Sequence, residues 1–342
     1  MSEAIVFPGQ GVQRDGMDQF GDPAVWAEAD TYTRDALGFS LLHIVRGNPP
    51  ELQLDGETVQ HPLGLLYLTQ FAQVALSALA FAQVGERRKA GTLPERAYFA
   101  GQSLGELNAL AAYAGVATLP DTLQIGWERG LVMRDLVPRD ATGDTNYRLA
   151  ALCPELFGVD DAALPGFVAE IAEQCGELLE VVNFNIPRRQ FVAAGTKAAL
   201  ARLREVVFAR ARPYRGMPPY LEIEGIDIPF HSTVLRPGVP QFRAILDARL
   251  PFEIDSAPLD GRYVPNLTGE LFTANDVPVR ERLLTLLSAQ LAAPVPWIKI
   301  QALLFSLADR YTEIGMPTAP TLTNLARHSA AALGATTEIT MP

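Results

Sequence analysis

Ala4–Phe7 is an unbroken apolar run closed by Pro8-Gly9-Gln10-Gly11. That pattern predicts a buried first strand that delivers the chain into a glycine turn. From Pro23 to Val45 apolar residues recur at helical spacing, with Asp22 placed to cap the start and Gly47-Asn48-Pro49-Pro50 to stop it. His61–Val84 is apolar almost all round, which predicts a long helix buried on every side. Thr69, Gln70, Gln73, Ser77 and Gln83 interrupt that stretch, so it reads as a core helix and not as a membrane span. Ala97–Ala100 predicts a further strand, followed by Gly101-Gln102-Ser103-Leu104-Gly105-Glu106 and a helical run, Leu107–Tyr113. Pro120-Asp121 then opens another helix over Thr122 to Leu136.

The pattern changes across Pro138–Asn146, a polar stretch containing glycine. Beyond it the order is strand (Tyr147–Leu152), helix (Ala162–Glu173), strand (Leu178–Asn183), strand (Gln190–Ala194), helix (Lys197–Arg210) and strand (Tyr220–Glu224). This β-α-β-β-α-β sequence is the ferredoxin-like split βαβ arrangement. The earlier alternation resumes with a strand at Tyr263–Asn266 and helices at Val279–Leu291 and Trp297–Ala308. Alternating strands and helices outside the middle segment imply a mostly parallel sheet covered on both faces.

Composition narrows the function classes. With 39 Asp+Glu against 28 Lys+Arg and a net charge of -11, the chain lacks the basic footprint of a nucleic-acid binder. Two cysteines, Cys153 and Cys175, cannot build a disulfide framework or a four-thiolate zinc site. Four histidines (His43, His61, His231, His328) show no metal-binding spacing, so no metal is expected and imidazole chemistry has only four candidates. No basic, apolar leader opens the chain, and the expected location is the cytoplasm, with no membrane contact.

Gly101-x-Ser103-x-Gly105 has the spacing of a nucleophile elbow, in which a serine sits on a crowded strand-to-helix turn that only small neighbours permit. The turn exposes the hydroxyl, and the helix start behind it offers backbone N–H groups and a positive dipole end. Alone this spacing is weak, because a strand-to-helix turn also uses glycine for geometry. Further segments extend it. Phe7-Pro8-Gly9-Gln10-Gly11, Gly101–Glu106, Trp127-Glu128-Arg129-Gly130 with Met133, Asn183-Phe184-Asn185 through Gln190 and Gly195, and Pro229-Phe230-His231-Ser232 follow in order. Together they resemble the malonyl-CoA:acyl-carrier-protein transacylase family over almost the whole chain. His61-Pro62-x-Gly64-Leu65-Leu66, Val182–Asn185, Phe230-His231-Ser232-Thr233-x-Leu235-Arg236 and Val264-Pro265-Asn266-Leu267-Thr268 are similar to the malonyl/palmitoyl transferase domain of type I fatty acid synthases.

The resemblance implies an α/β-hydrolase-like core of residues 1–140 and 227–342 with a ferredoxin-like insert at 141–226. It makes Ser103 the nucleophile and His231 its base, with the Gln290 carbonyl orienting the imidazole; a carbonyl fixes the tautomer without adding charge. The backbone N–H of Leu104 follows the nucleophile directly, and the resemblance adds that of Gln10 as second oxyanion donor. Arg129 would read a free malonyl carboxylate, a task suited to a planar, permanently charged fork. Met133, one turn on, would line the acyl pocket, and Phe230 occupies a position where family members with Phe favour malonyl over branched units. Asn185 is placed at the substrate site by the same motifs. Gln73 stands where the family has a glutamine beside the site, but fits equally a buried, hydrogen-bonded helix residue. Three positions depart from the family: Gln102 for the usual His, Val74 for a Pro, and Gly315-Met316 without the usual Gly-Pro-Gly.

The expected reaction is ping-pong transfer of a malonyl group from CoA, through a Ser103 ester, to the phosphopantetheine thiol of an acyl carrier protein, for fatty acid or polyketide synthesis. The protein is expected to act in trans as a monomer and to hold no cofactor, CoA entering as the substrate thioester and phosphopantetheine on the partner. Thioester hydrolysis and dual malonyl/long-chain transfer remain as alternatives. The exposed basic clusters Arg87–Lys89 and Arg188-Arg189 are candidates for meeting an acidic carrier.

Overall fold

The computed structural model describes residues 1–140, 143–275 and 277–340. The expected domain limits at 141 and 342 lie outside these residues. Among the described residues ten strands are formed: β1 (Glu3–Phe7), β2 (Glu51–Leu54), β3 (Glu57–Gln60), β4 (Tyr98–Gly101), β5 (Tyr147–Leu152), β6 (Leu179–Ile186), β7 (Gln190–Thr196), β8 (Tyr220–Ile223), β9 (Arg310–Glu313) and β10 (Glu338–Thr340).

β1 lies inside a wholly parallel sheet of order β10-β9-β1-β4, making the protein an α/β fold. Its unbroken apolar sequence follows from burial on both faces. Ile5 and Phe7 enter one core cluster with Phe71, Leu104 and Leu110, while Ala4 and Val6 enter another with Trp297, Ile300 and Leu322. β5–β8 form a separate antiparallel sheet of order β6-β7-β5-β8, the strand order of a split βαβ unit, with its own core around Leu152, Phe191 and Leu203. β6 is tied to the segment before the helix Trp297–Leu307, where Val295 donates to Val182 O and accepts from Phe184 N.

Several elements differ from expectation. The helix expected over Pro23–Val45 is two, Pro23–Leu37 and Leu41–Gly47. Gly38 adopts the left-handed conformation at the end of the first, and the Ser40 side chain caps the second through His43 N. The helix expected from His61 begins at Thr69, because Leu68 is extended and only one 3-10 turn, Leu65–Tyr67, precedes it. Uniform apolarity says that a segment is buried, not where its first turn closes. Tyr263–Asn266 makes one bridge, Phe99 to Tyr263, and no strand. The β2–β3 hairpin went unpredicted, although Asp55-Gly56, both at positive φ, form its turn. Also unpredicted were β9, β10 and the helices Val239–Arg249 and Thr321–Leu333.

The helix Thr69–Lys89 packs against Leu119–Asp135 at backbone distance. A Cβ on Gly130 would lie 2.4 Å from Gln70 Cα, so these helices can close only on a glycine. This contact sets Gln73 against Arg129, the start of the site. Among the described residues no helix is long and apolar enough to cross a membrane.

Candidate active site

β4 ends at Gly101, and Ser103 occupies the turn into the short helix Leu104–Asn108 with φ 54° and ψ -116°. A side-chain-bearing residue is held there only when its surroundings over-determine it. They do so on both flanks. A Cβ on Gly101 would meet Gly105 backbone at 1.9 Å, and one on Gly105 would meet Phe7 O at 2.0 Å. The Gly9-Gln10-Gly11 turn abuts the elbow, since a Cβ on Gly9 would lie 2.7 Å from Gln102 O and 3.4 Å from Ser103 Cβ. The Gln10 and Leu104 amides therefore belong to two turns in contact.

His231 is buried, also at positive φ (63°), in the loop before the 3-10 segment Thr233–Gly238. Its Nε2 lies 2.8 Å from Ser103 Oγ, and its Nδ1 lies 2.9 Å from the Gln290 carbonyl. With a carbonyl on one side, Nδ1 carries the proton and Nε2 is free to accept from the serine. Burial, with the positive charge of Arg129 nearby, pulls the imidazole down to about 4, against an opposing pull from the Gln290 hydrogen bond. The other histidines lie elsewhere. His61 Nδ1 accepts from Leu63 N and its ring stacks on Tyr67, while His43 and His328 are exposed on helices.

Arg129 is only 2% exposed, and among the described residues it has no carboxylate within salt-bridge distance. Nη1 donates to Gln73 Oε1 at 2.9 Å, while Nη2 is buried without a partner. Burial lowers its pKa to about 10, opposed by the charge of Glu106. Gln73 donates onward to Thr69 Oγ1 at 2.9 Å and to Met133 Sδ at 3.7 Å, and Thr69 donates to Gln10 Oε1 at 2.9 Å. Gln73 is thus both readings at once, a buried, hydrogen-bonded helix residue and the partner of Arg129. Phe230 lines a cavity of about 260 Å³ with Gln10, Gly11, Thr69 and Ile226. Asn185, on β6, accepts from Gln102 Nε2 at 2.9 Å, so the residue standing where His is usual ties the elbow to the antiparallel sheet.

The structure brings the ten predicted site residues into one connected region and adds residues to which the sequence reading gave no role. Asn266 brackets the elbow: its Oδ1 accepts from Ser103 N at 2.7 Å and its Nδ2 donates to Gly101 O. Glu106, wholly buried, accepts from Asn266 N and Gln290 Nε2, both at 2.8 Å, and from the Tyr263 hydroxyl. Burial pushes its carboxyl up to about 7 against the Tyr263 and Asn266 hydrogen bonds and the Arg129 charge. Glu106 and Asn266 both lie inside quoted motifs; the available signal was a carboxylate one helical turn beyond the serine. The basic clusters are partly neutralised: Lys89 pairs with Asp22, and Arg188 with Glu155 at 3.3 Å. Among the described residues no group of three or more His, Cys, Asp or Glu side chains is placed to hold a metal ion.

Residues 4–204 match the family described as acyl transferase domain. The chain is 31% identical to fatty acid synthase 2 of Mycosarcoma maydis, with 96% of the chain and 12% of that protein covered. It is 34% identical to the fatty acid synthase beta subunit TOXC of Cochliobolus carbonum, covering 78% of the chain and 17% of that protein. The chain therefore spans less than a fifth of the length of these relatives. Among solved structures, an acyl carrier protein S-malonyltransferase from Vibrio cholerae superposes with a TM-score of 0.74 at 26% identity, over 97% of this chain and 95% of that one. A malonyl-transacylase solved in complex with its type II polyketide synthase acyl-carrier protein gives 0.74 at 25% identity, over 97% and 94%.

Proposed function

The chain belongs to the acyl transferase domain family, and on that premise we propose that it moves a malonyl group from CoA to the phosphopantetheine thiol of an acyl carrier protein, acting in trans through a Ser103 ester. The observation that carries this reading is the relay from Ser103 Oγ through His231 to the Gln290 carbonyl. In the first half-reaction Nε2 takes the hydroxyl proton as Oγ attacks the thioester carbonyl. The tetrahedral oxyanion is held by the Gln10 and Leu104 amides, and its collapse expels CoA, protonated by the imidazolium. In the second, the carrier thiol gives its proton to the same nitrogen and attacks the ester; Ser103 leaves and takes the proton back. Two thiols are exchanged at one site without a metal or cofactor in any step.

Arg129 supports malonyl as the cargo. A buried guanidinium with one nitrogen satisfied and the other unpartnered is poised for a carboxylate, and burying that cation without one is costly. A general esterase has no use for it. Fatty acid or polyketide synthesis is the setting that the relatives favour. The test is a chase: protein loaded from malonyl-CoA is mixed with a phosphopantetheinylated carrier protein. Malonyl-carrier should form faster than free malonate is released. Malonate release that outruns transfer would make the protein a thioester hydrolase.

A further inference from the structure

Glu106 stands outside the chemistry just described, yet it is bonded to both halves of it. It follows Ser103 by three residues and lies fully buried in the first turn of the helix that the elbow opens. One carboxylate oxygen accepts from Asn266 N, and Asn266 in turn holds the backbone on both sides of Gln102, at Gly101 O and Ser103 N. The other oxygen accepts from Gln290 Nε2 at 2.8 Å, and it is the carbonyl of Gln290 that holds His231. We infer that Glu106 is the positioning residue of this site, fixing through Gln290 the carbonyl that orients His231 and through Asn266 the backbone that presents Ser103. This inference rests on the Ser103–His231 reading above.

Its need follows from where Gln290 sits. The helix Val279–Ala289 ends at this residue and passes into the 3-10 turn Gln290–Ala292, so its carbonyl, besides the imidazole, meets Ala293 N at the long distance of 3.5 Å. A helix end frays unless something holds it. Here the hold is the side chain. Gln290 Nε2 reaches Glu106 and, at 3.3 Å, Ser103 O, while Oε1 is buried with no partner, so only the amide nitrogen anchors the residue. A buried carboxylate is a poor choice for stability alone, since apolar residues of like volume serve as well or better. At Glu106, however, two of the three donors lead within one residue to the serine or the histidine.

The test uses two variants of the whole chain. Glu106→Gln keeps an oxygen for Tyr263 and Asn266 but sets an N–H against the Gln290 amide nitrogen. Gln290→Leu removes the anchored side chain and keeps the carbonyl. Single-turnover acylation of Ser103 by malonyl-CoA should slow on the order of 10- to 100-fold in each, the size of effect that loss of an outer-shell hydrogen-bond partner typically has on the ligand it positions. Because both variants break the same Glu106–Gln290 contact, the double variant should be no more than about twofold slower than the slower single. The downfield Nδ1–H proton resonance of His231 should shift or broaden in both. Acylation at the unmodified rate, an unmoved resonance, or a double variant slowed by the product of the singles would overturn the inference. If Glu106→Gln does not fold, Gln290→Leu alone decides it. Unmodified protein that gains no acyl group at Ser103 would remove the reading beneath; normal acylation there with unaffected variants removes this inference alone.

Discussion

Ser103 and His231 both carry φ angles that residues with side chains avoid, 54° and 63°, and they face each other across 2.8 Å. Such strain, of order 1–3 kcal/mol per residue, persists only where neighbours enforce it. The same neighbours set the histidine's protonation. Its imidazolium is disfavoured by burial first and by Arg129 second, so the ring is neutral across the neutral range. A titration of the His231 ring protons by NMR should give a midpoint near 4, and Arg129→Ala, which removes the second cause, should raise it; a midpoint near 6.5 in the unmodified protein would contradict the placement. Because the unfolded chain keeps the ordinary value of about 6.5, it binds more protons over this interval. The stability contributed by neutral His231 is then complete above about pH 6.5 and is lost as pH falls toward about 4. Arg129→Ala should also cost malonyl transfer its preference over acetyl by about 10- to 100-fold, the loss of charge-assisted hydrogen bonds worth roughly 1.5–3 kcal/mol. Initial rates with both CoA esters check this, and an unchanged ratio removes Arg129 as reader of the carboxylate.

At the scale of elements, the elbow exists because two strand-to-helix segments, those after β1 and β4, touch at three glycines. Gly105 lies against Phe7 O, Gly101 against Gly105, and Gly9 against Gln102. Gly105→Ala should therefore cost about 3 kcal/mol or more, since backbone cannot yield to a methyl group as a side-chain tip can. Gly166→Ala, in the exposed face of the helix Leu164–Cys175 with nothing near it, should instead stabilise by about 0.5–1 kcal/mol. Urea unfolding of the two variants gives the comparison; equal effects would show that the elbow has slack. The elements that make this turn, β1 and β4 with their glycine loops, were readable because a buried parallel strand is an unbroken apolar run and its exit is glycine. The divided helix at Gly38 and the β2–β3 hairpin were not, because each depends on a local turn whose residues are as common in loops. β9 and β10 are short and carry polar residues such as Arg310 and Glu338, so their strand character comes from pairing, β9 on β1 and β10 on β9.

For the whole molecule, the site is a meeting of distant segments. Gln10, Gln73, Ser103, Arg129, Asn185, His231, Asn266 and Gln290 come from eight separate stretches of chain, held by two sets of hydrogen bonds, one running from Gln10 through Thr69 and Gln73 to Arg129 and the other centred on the elbow. The motifs named most of them, but spacing along the chain holds nothing about partners across it, and so the Glu106 network was invisible. Against a net charge of -11, the site's own cation is buried, and the candidate basic clusters pair with nearby acids. One covalent event, acylation of Ser103, underlies the proposed reaction. Intact-mass analysis of the protein after incubation with malonyl-CoA should show a single malonyl adduct, localised by fragmentation to Ser103, absent from Ser103→Ala and removed by a holo carrier protein. An adduct on another residue, or one that persists in Ser103→Ala, would contradict it.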